Sequence, residues 1–151
     1  MRTLARPGDL ADLRRRLQTL RPGSAARWGR MSAHQMICHL GDAMLVAADQ
    51  KTAGAVSGPL KRTIVKWIAL YLPLRWPSGI RTVAEINQEI GGTKPQEFVS
   101  DVRELDTRLR RFVEDQQAMC PTHPIFGRMS RKEWLRWAYL HTDHHLRQFG
   151  A

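Results

Sequence analysis

Apolar positions recur along this chain at spacings of three and four in five separate stretches, which is the period of helices packed on one face. Leu10, Leu13, Leu17 and Leu20 form the first stripe, with Asp9 placed to cap its start and Pro22-Gly23 to stop it. Its other face carries Arg14, Arg15 and Gln18, so this helix packs on one side only. A second helix is expected from Ala33 to Asp49, opened by a capping box of Ser32 and Gln35. Met36, Leu40, Ala43, Met44 and Ala47 make its apolar face, and Gln35, His39 and Asp42 run alongside as a polar stripe. Residues 59–72 are rich in Ile, Leu and Val with Trp67, carry Pro59 in the first turn and end at Pro73. A long fourth helix is expected from Pro95 to about Met119, buried along Phe98, Val102, Leu105, Leu109 and Phe112 and stopped by Pro121. The fifth opens on a second capping box, Ser130 with Glu133, and continues through Trp134, Trp137 or Ala138, His141 and His145 on one stripe.

Between these helices nothing alternates convincingly enough to read as a strand. Residues 73–94, with Pro77, Gly79, Gly91 and Gly92, form a long irregular connection of the kind that often serves as a lid or pocket wall. Trp76 and Arg81 are its candidates for lining a pocket, with Trp76 equally readable as the anchor of the loop. His123 to Met129 is a tight connector. The expected fold is all-α: one domain over residues 1–151, an up-and-down four-helix bundle with an extra shorter helix.

Composition adds limits. Hydrophobic residues at 42% and charged residues at 25% are ordinary for a globular protein. No apolar run approaches the roughly 18–20 residues needed to span a bilayer. The N-terminus has basic residues without the apolar core of a signal peptide. Cys38 and Cys120 are two and far apart, which suits a reducing compartment. The expectation is a cytoplasmic protein that does not use a membrane. The net charge of +10 could serve nucleic acid. Its arginines are spread over the chain, however, and no helix-turn-helix, zinc finger or aromatic–basic interleaving accompanies them. The charge is read as aiding solubility or drawing in a small anionic substrate.

The histidines carry the chemistry. His141 and His145, four apart on one helical face, can both reach one divalent ion, and His39 on another helix is the candidate third ligand. Asp42, one turn after His39, and Asp143 are the candidate acceptors for the far ring nitrogens. His144 reads as supporting or surface, and His34 and His123 as peripheral. Thr142 stands where a zincin's H-E-x-x-H needs its glutamate, so a metalloprotease is not expected. The alternative is a histidine-rich surface terminus that coordinates nothing.

Three segments carry a resemblance: Trp28-Gly29-Arg30-Met31-Ser32-Ala33-His34-Gln35-Met36-Ile37-Cys38-His39-Leu40, then His123-Pro124-Ile125-Phe126-Gly127, then His141-x-x-His144-His145-x-Arg147-Gln148-Phe149-Gly150. Together with Trp76-Pro77 and Gly91-Gly92-Thr93-Lys94-Pro95-x-x-Phe98, they make the chain similar over nearly its whole length to the DinB-like (YfiT-like) superfamily. The likeness is narrower to a branch known as a domain of unknown function. The resemblance implies an up-and-down four-helix bundle, often dimeric, with nickel or zinc held by His39, His141 and His145. Characterised relatives are transferases or isomerases that use a low-molecular-weight thiol such as bacillithiol, mycothiol or glutathione.

Three functions stand on this reading. The first is an enzyme, a metal-dependent and thiol-dependent transferase or a hydrolase, acting on a small molecule in the bundle. Gln35, Asp42 and Gln148 would orient water or substrate, and Arg147 or Arg81 would pair with a substrate carboxylate. The second is a non-catalytic bundle that binds a metal or a small ligand. Nucleic-acid binding, resting on charge and the superfamily's historical name, comes last. A homodimer is open, since the apolar 59–72 helix could cover the bundle or pair with a second copy.

Overall fold

The computed structural model describes residues 1–54, 59–79, 82–115 and 119–151. The class is all-α, and the described residues form five helices: α1 (Pro7–Leu17), α2 (Ala33–Ala47), α3 (Pro59–Tyr71), α4 (Phe98–Glu114) and α5 (Arg131–Gln148). A single 3₁₀ turn, Ala84–Ile86, lies in the long connection between α3 and α4. Among the described residues no helix is long and apolar enough to cross a membrane.

Both capping boxes form: Ser32 accepts from the Gln35 amide at the head of α2, and Ser130 from the Glu133 amide at the head of α5. Two other starts differ from expectation. α1 begins at Pro7, whose fixed φ and missing N–H suit a first helical position, and its N-cap residue is Arg6 without a side-chain bond. Asp9 therefore sits inside the first turn, where its carboxylate accepts from the Thr3 amide at 2.9 Å. α4 starts at Phe98, three residues after Pro95, because the Glu97 carboxylate caps the amides of Val99 and Ser100 at 2.9 and 2.6 Å. It ends at Glu114, before Met119, where Asp115 turns extended. The connector before α5 also holds a short antiparallel pair that the sequence did not announce, β1 (Thr122–His123) with β2 (Gly127–Arg128). A three-residue loop closes it, and Gly127 takes the positive φ of 69° that such loops require.

α2 packs most extensively on α4 and also on α5, while α1 packs on α5 and α4. The core lies between them: Leu13 and Leu17 of α1, Met36, Leu40 and Met44 of α2, Leu105 and Leu109 of α4, Trp134 and Leu146 of α5 are all buried. α3 lies against α5 and β2. It buries Leu70 but leaves Ile64, Trp67, Ile68 and Tyr71 exposed.

The connection from residue 82 to 94 is tied down by one fully buried carboxylate. Asp42 accepts from the Thr93 amide at 2.8 Å, the Thr93 hydroxyl at 2.6 Å and the Gln88 amide at 3.1 Å, and pairs with the Lys51 ammonium at 2.8 Å. Gly92 is glycine by contact, since a Cβ there would meet the Asn87 carbonyl carbon at 2.7 Å. This anchoring sets the 3₁₀ turn over the middle of α2.

Candidate metal centre and its cavity

α2 presents His39 and α5 presents His141 and His145, one turn apart on the face that also carries Trp134 and Trp137. The three rings meet: centroids lie 5.1 Å apart for His39–His141, 4.8 Å for His39–His145 and 4.9 Å for His141–His145. One nitrogen from each falls within 4.8 Å of the other two.

Two of the rings have their protons assigned by their partners. His39 Nδ1–H donates to the Ile86 carbonyl at 2.9 Å, and His145 Nδ1–H donates to Gln148 Oε1 at 2.8 Å. In each neutral ring the lone pair is then on Nε2, the atom left to bind. His39 and His145 are almost wholly buried, at 3% and 8% exposure. Burial pushes the pKa of His39 down, with the Ile86 bond working the other way. Burial, then the neighbouring rings, holds His141 and His145 well below the usual imidazole range. Neutral imidazoles with free Nε2 lone pairs are what a borderline divalent ion requires, so the donor set fits one. His141 departs from the pattern, because its buried Nδ1 has no hydrogen-bond partner among the described residues.

Gln148 does double duty. Its Oε1 orients His145 while its Nε2 donates to the Trp28 carbonyl at 2.7 Å, and its own carbonyl accepts from the Arg27 amide at 2.7 Å. The loop before α2 is thus clamped to the ligand helix. Gly29, at φ 80°, makes the close approach feasible, since a Cβ there would stand 2.8 Å from Gln148 Nε2.

The other expected residues are placed as follows. Asp42 does not support His39: its oxygens are occupied by Thr93, Gln88 and Lys51, and the Ile86 carbonyl takes the role instead. Asp143 likewise pairs with Arg16 and Arg147. Gln35 spends its side-chain oxygen on the Ser32 amide, in a separate recess with Asn87 and Gln88. Arg147 is held by Asp143 at 2.8 Å and does not line the main cavity. Trp76 does line it, with its ring 6.1 Å from His141 and its Nε1 donating to the Ala69 carbonyl, so it anchors the loop and walls the cavity at once. Arg81 lies outside the described residues.

The imidazoles open onto a cavity of about 670 Å³ lined by α2, α3, α5, residues 74–79 and 82–86 of the long connection and the β1–β2 hairpin. Its wall also includes two further histidines, His123, which the sequence placed at the periphery, and His144, read as supporting or surface. His123 is 6% exposed and stacks on Phe126, and His144 is buried between Trp28 and Trp76. For His144 a signal existed: Trp137, His141, His144 and Gln148 follow one another at helical spacings. A second cluster, His34, Cys38 and Asp101, is closed on itself, with His34 Nε2 at 2.6 Å from the carboxylate. Burial, then Asp101, pushes the Cys38 thiol up to about 12, so it stays protonated and is no nucleophile.

The fold and site define an all-α protein with a buried imidazole cluster at the end of an apolar cavity. The chain belongs to the family described as "Protein of unknown function (DUF1569)", whose model matches residues 4–151. No curated protein and no solved structure matches it.

Proposed function

We propose that this protein is a divalent-metal enzyme that modifies a small molecule in the cavity, built on the four-helix bundle of the DinB-like superfamily that its sequence resembles. The ring of packing pairs α1–α5, α5–α2, α2–α4 and α4–α1 supports the bundle, with α3 lying outside it. The observation that carries the metal reading is the convergence of His39, His141 and His145 with two of their Nδ1 protons tied to carbonyl oxygens.

His39, His141 and His145 would hold the ion, zinc or nickel by their donor type and the resemblance. When bound, such an ion supplies Lewis-acid chemistry, lowering the pKa of a thiol or a water. The chain's own part is to fix the three rings, to exclude water with Trp76, Trp137 and Phe126, and to hold the organic substrate beside them. Among the described residues no Asp or Glu lines the cavity. A hydrolase of this kind would want a carboxylate base, whereas a thiol already ionised needs none, which favours thiol-dependent transfer. The same absence also favours a second reading, a bundle that binds metal and ligand without turnover.

The test is metal content of untagged protein by plasma mass spectrometry beside the His141→Ala, His145→Ala double variant. About one equivalent in the wild type and none in the variant is expected. Equal emptiness after incubation with zinc or nickel would overturn the reading. With the metal established, turnover of a thiol and an electrophile separates enzyme from binding bundle.

A further inference from the structure

The cavity's wall also bears on what it takes, an inference that rests on the reading of this cavity as a ligand site. Its lining is dominated by Val46, Val65, Ile68, Leu74, Phe126 and Trp137, and its volume of about 670 Å³ suits a molecule of ordinary metabolite or drug size. The fixed charges on the described wall are Arg30 and Arg75, with no carboxylate to meet a cation. A ligand's ammonium group would be desolvated there without a carboxylate to neutralise it.

One polar group on this wall has no hydrogen-bond partner among the described residues. His123 Nδ1 accepts the amides of Ile125 at 3.1 Å and Phe126 at 3.3 Å, inside the β1–β2 loop. An imidazole nitrogen that accepts two N–H groups carries no proton, so the ring's hydrogen is on Nε2. Among the described residues that Nε2 meets no hydrogen-bond partner, while the residue is almost wholly buried and lines the cavity. Trp137 stands between this ring and the cluster, its centroid 5.1 Å from that of His123 and 4.9 Å from that of His141. The free donor and the ligand histidines therefore serve the same end of the cavity.

We propose that the cavity binds a molecule with an apolar or aromatic body and one oxygen acceptor, a carboxylate or a carbonyl, and that His123 Nε2–H donates to that oxygen. Burial holds the ring's pKa down at about 3, so the donor is neutral throughout the physiological range. A neutral donor selects an acceptor without demanding a counter-charge, while the missing carboxylates exclude cations. The consequence for a thiol co-substrate is that one bearing an ammonium group has no counter-charge on the described wall.

The experiment uses 1-anilinonaphthalene-8-sulfonate as a fluorescent occupant and displaces it with octanoate, 2-octanone and octylammonium, on metal-free and zinc-incubated full-length protein. Octanoate, 2-octanone or both should compete at least about tenfold better than octylammonium, the size expected for one buried hydrogen bond to an acceptor. Which of the two wins tells carboxylate from carbonyl. His123→Asn keeps an oxygen for the turn amides but cannot reach the cavity, and it should weaken the favoured acceptor about tenfold while leaving octylammonium, which meets no carboxylate in either protein, unchanged. His123→Gln carries an amide N–H toward the position of Nε2 and should keep the acceptor's affinity, which covers the case in which the asparagine variant does not fold. Octylammonium competing equally well in the wild type, or an acceptor affinity undiminished in a folded His123→Asn, would overturn the proposal. A preference without zinc uptake would count against the metal alone, and zinc uptake without a preference against this inference alone.

Discussion

The Nε2 atoms of His39 and His141 lie 3.2 Å apart although 102 residues separate them in the chain. Two imidazoles on one tetrahedral zinc, at the usual bond length, have their nitrogens about 3.4 Å apart. The pair is therefore already near ligand spacing, and burial keeps it from relaxing into two hydrated cations. What fixes each ring is a neighbour on its far side, and those neighbours can be tested separately from the ligands.

Gln148 is the clearest of them. Gln148→Leu removes the acceptor of His145 Nδ1–H and frees the Trp28 carbonyl, and it should weaken zinc binding about 10–100-fold. Competition against a chromophoric chelator measures this. Gln148→Glu, which keeps an acceptor for His145, should lose less. An affinity unchanged in the leucine variant would mean that His145 is held by packing alone.

Gly29→Ala approaches the same contact from the other side. The new Cβ must meet Gln148 Nε2 at 2.8 Å while the backbone holds φ at 80°, a region costly for a residue with a side chain. A loss of about 1–3 kcal/mol in urea unfolding is expected, together with weaker zinc binding as the Gln148 side chain is displaced. Wild-type stability and affinity would show that the loop yields without moving Gln148.

Asp42 supports the third ring at one remove. Asp42→Ala leaves the Thr93 amide and hydroxyl, the Gln88 amide and the Lys51 ammonium without their acceptor. Breaking a buried charge with this many partners costs about 3–5 kcal/mol. Because those bonds hold the connection that brings Ile86 to His39, zinc affinity should fall as well, even where the variant remains folded. Chemical unfolding and chelator competition on one preparation decide whether stability and affinity move together.

How far the sequence led can be argued from these same residues. Helical spacing is a local property, so it placed His141 beside His145, and both capping boxes located helix starts to the residue. It also gave the all-α class. The partners of the rings were less legible because they come from folding at a distance. Asp42 shares a helical face with His39 and looked like its acceptor, yet Ile86, 47 residues on, supplies a backbone oxygen that no side-chain pattern encodes. Glu97 took the cap of α4 from Pro95's neighbourhood because a carboxylate reaching two amides outweighs a proline's preference for a first turn. His123 looked peripheral because it stands in a connector, and only the two-residue pairing of β1 with β2 turns it inward.

That inward turn gives His123 a measurable effect on acid stability. In the unfolded chain its imidazole takes up a proton near pH 6.5. In the folded protein burial lowers the pKa to about 3. Between those values the unfolded state binds a proton that the folded state does not, so acid favours unfolding. The contribution of the neutral ring is complete above pH 6.5 and declines as the pH falls, by about 1.4 kcal/mol per pH unit, until the folded pKa is reached. Carboxylates and the other buried histidines titrate over part of this range too, so the wild-type slope alone is not the measure. The measure is the difference from His123→Asn, which cannot titrate. Urea unfolding of metal-free wild type and variant from pH 7.5 to pH 4.5 should show stabilities that converge, the wild type losing about 2 kcal/mol or more relative to the variant. Parallel curves would mean that His123 is protonated in the folded protein, with its Nδ1 no longer accepting the Ile125 and Phe126 amides, and the donor assignment at Nε2 would lose its basis.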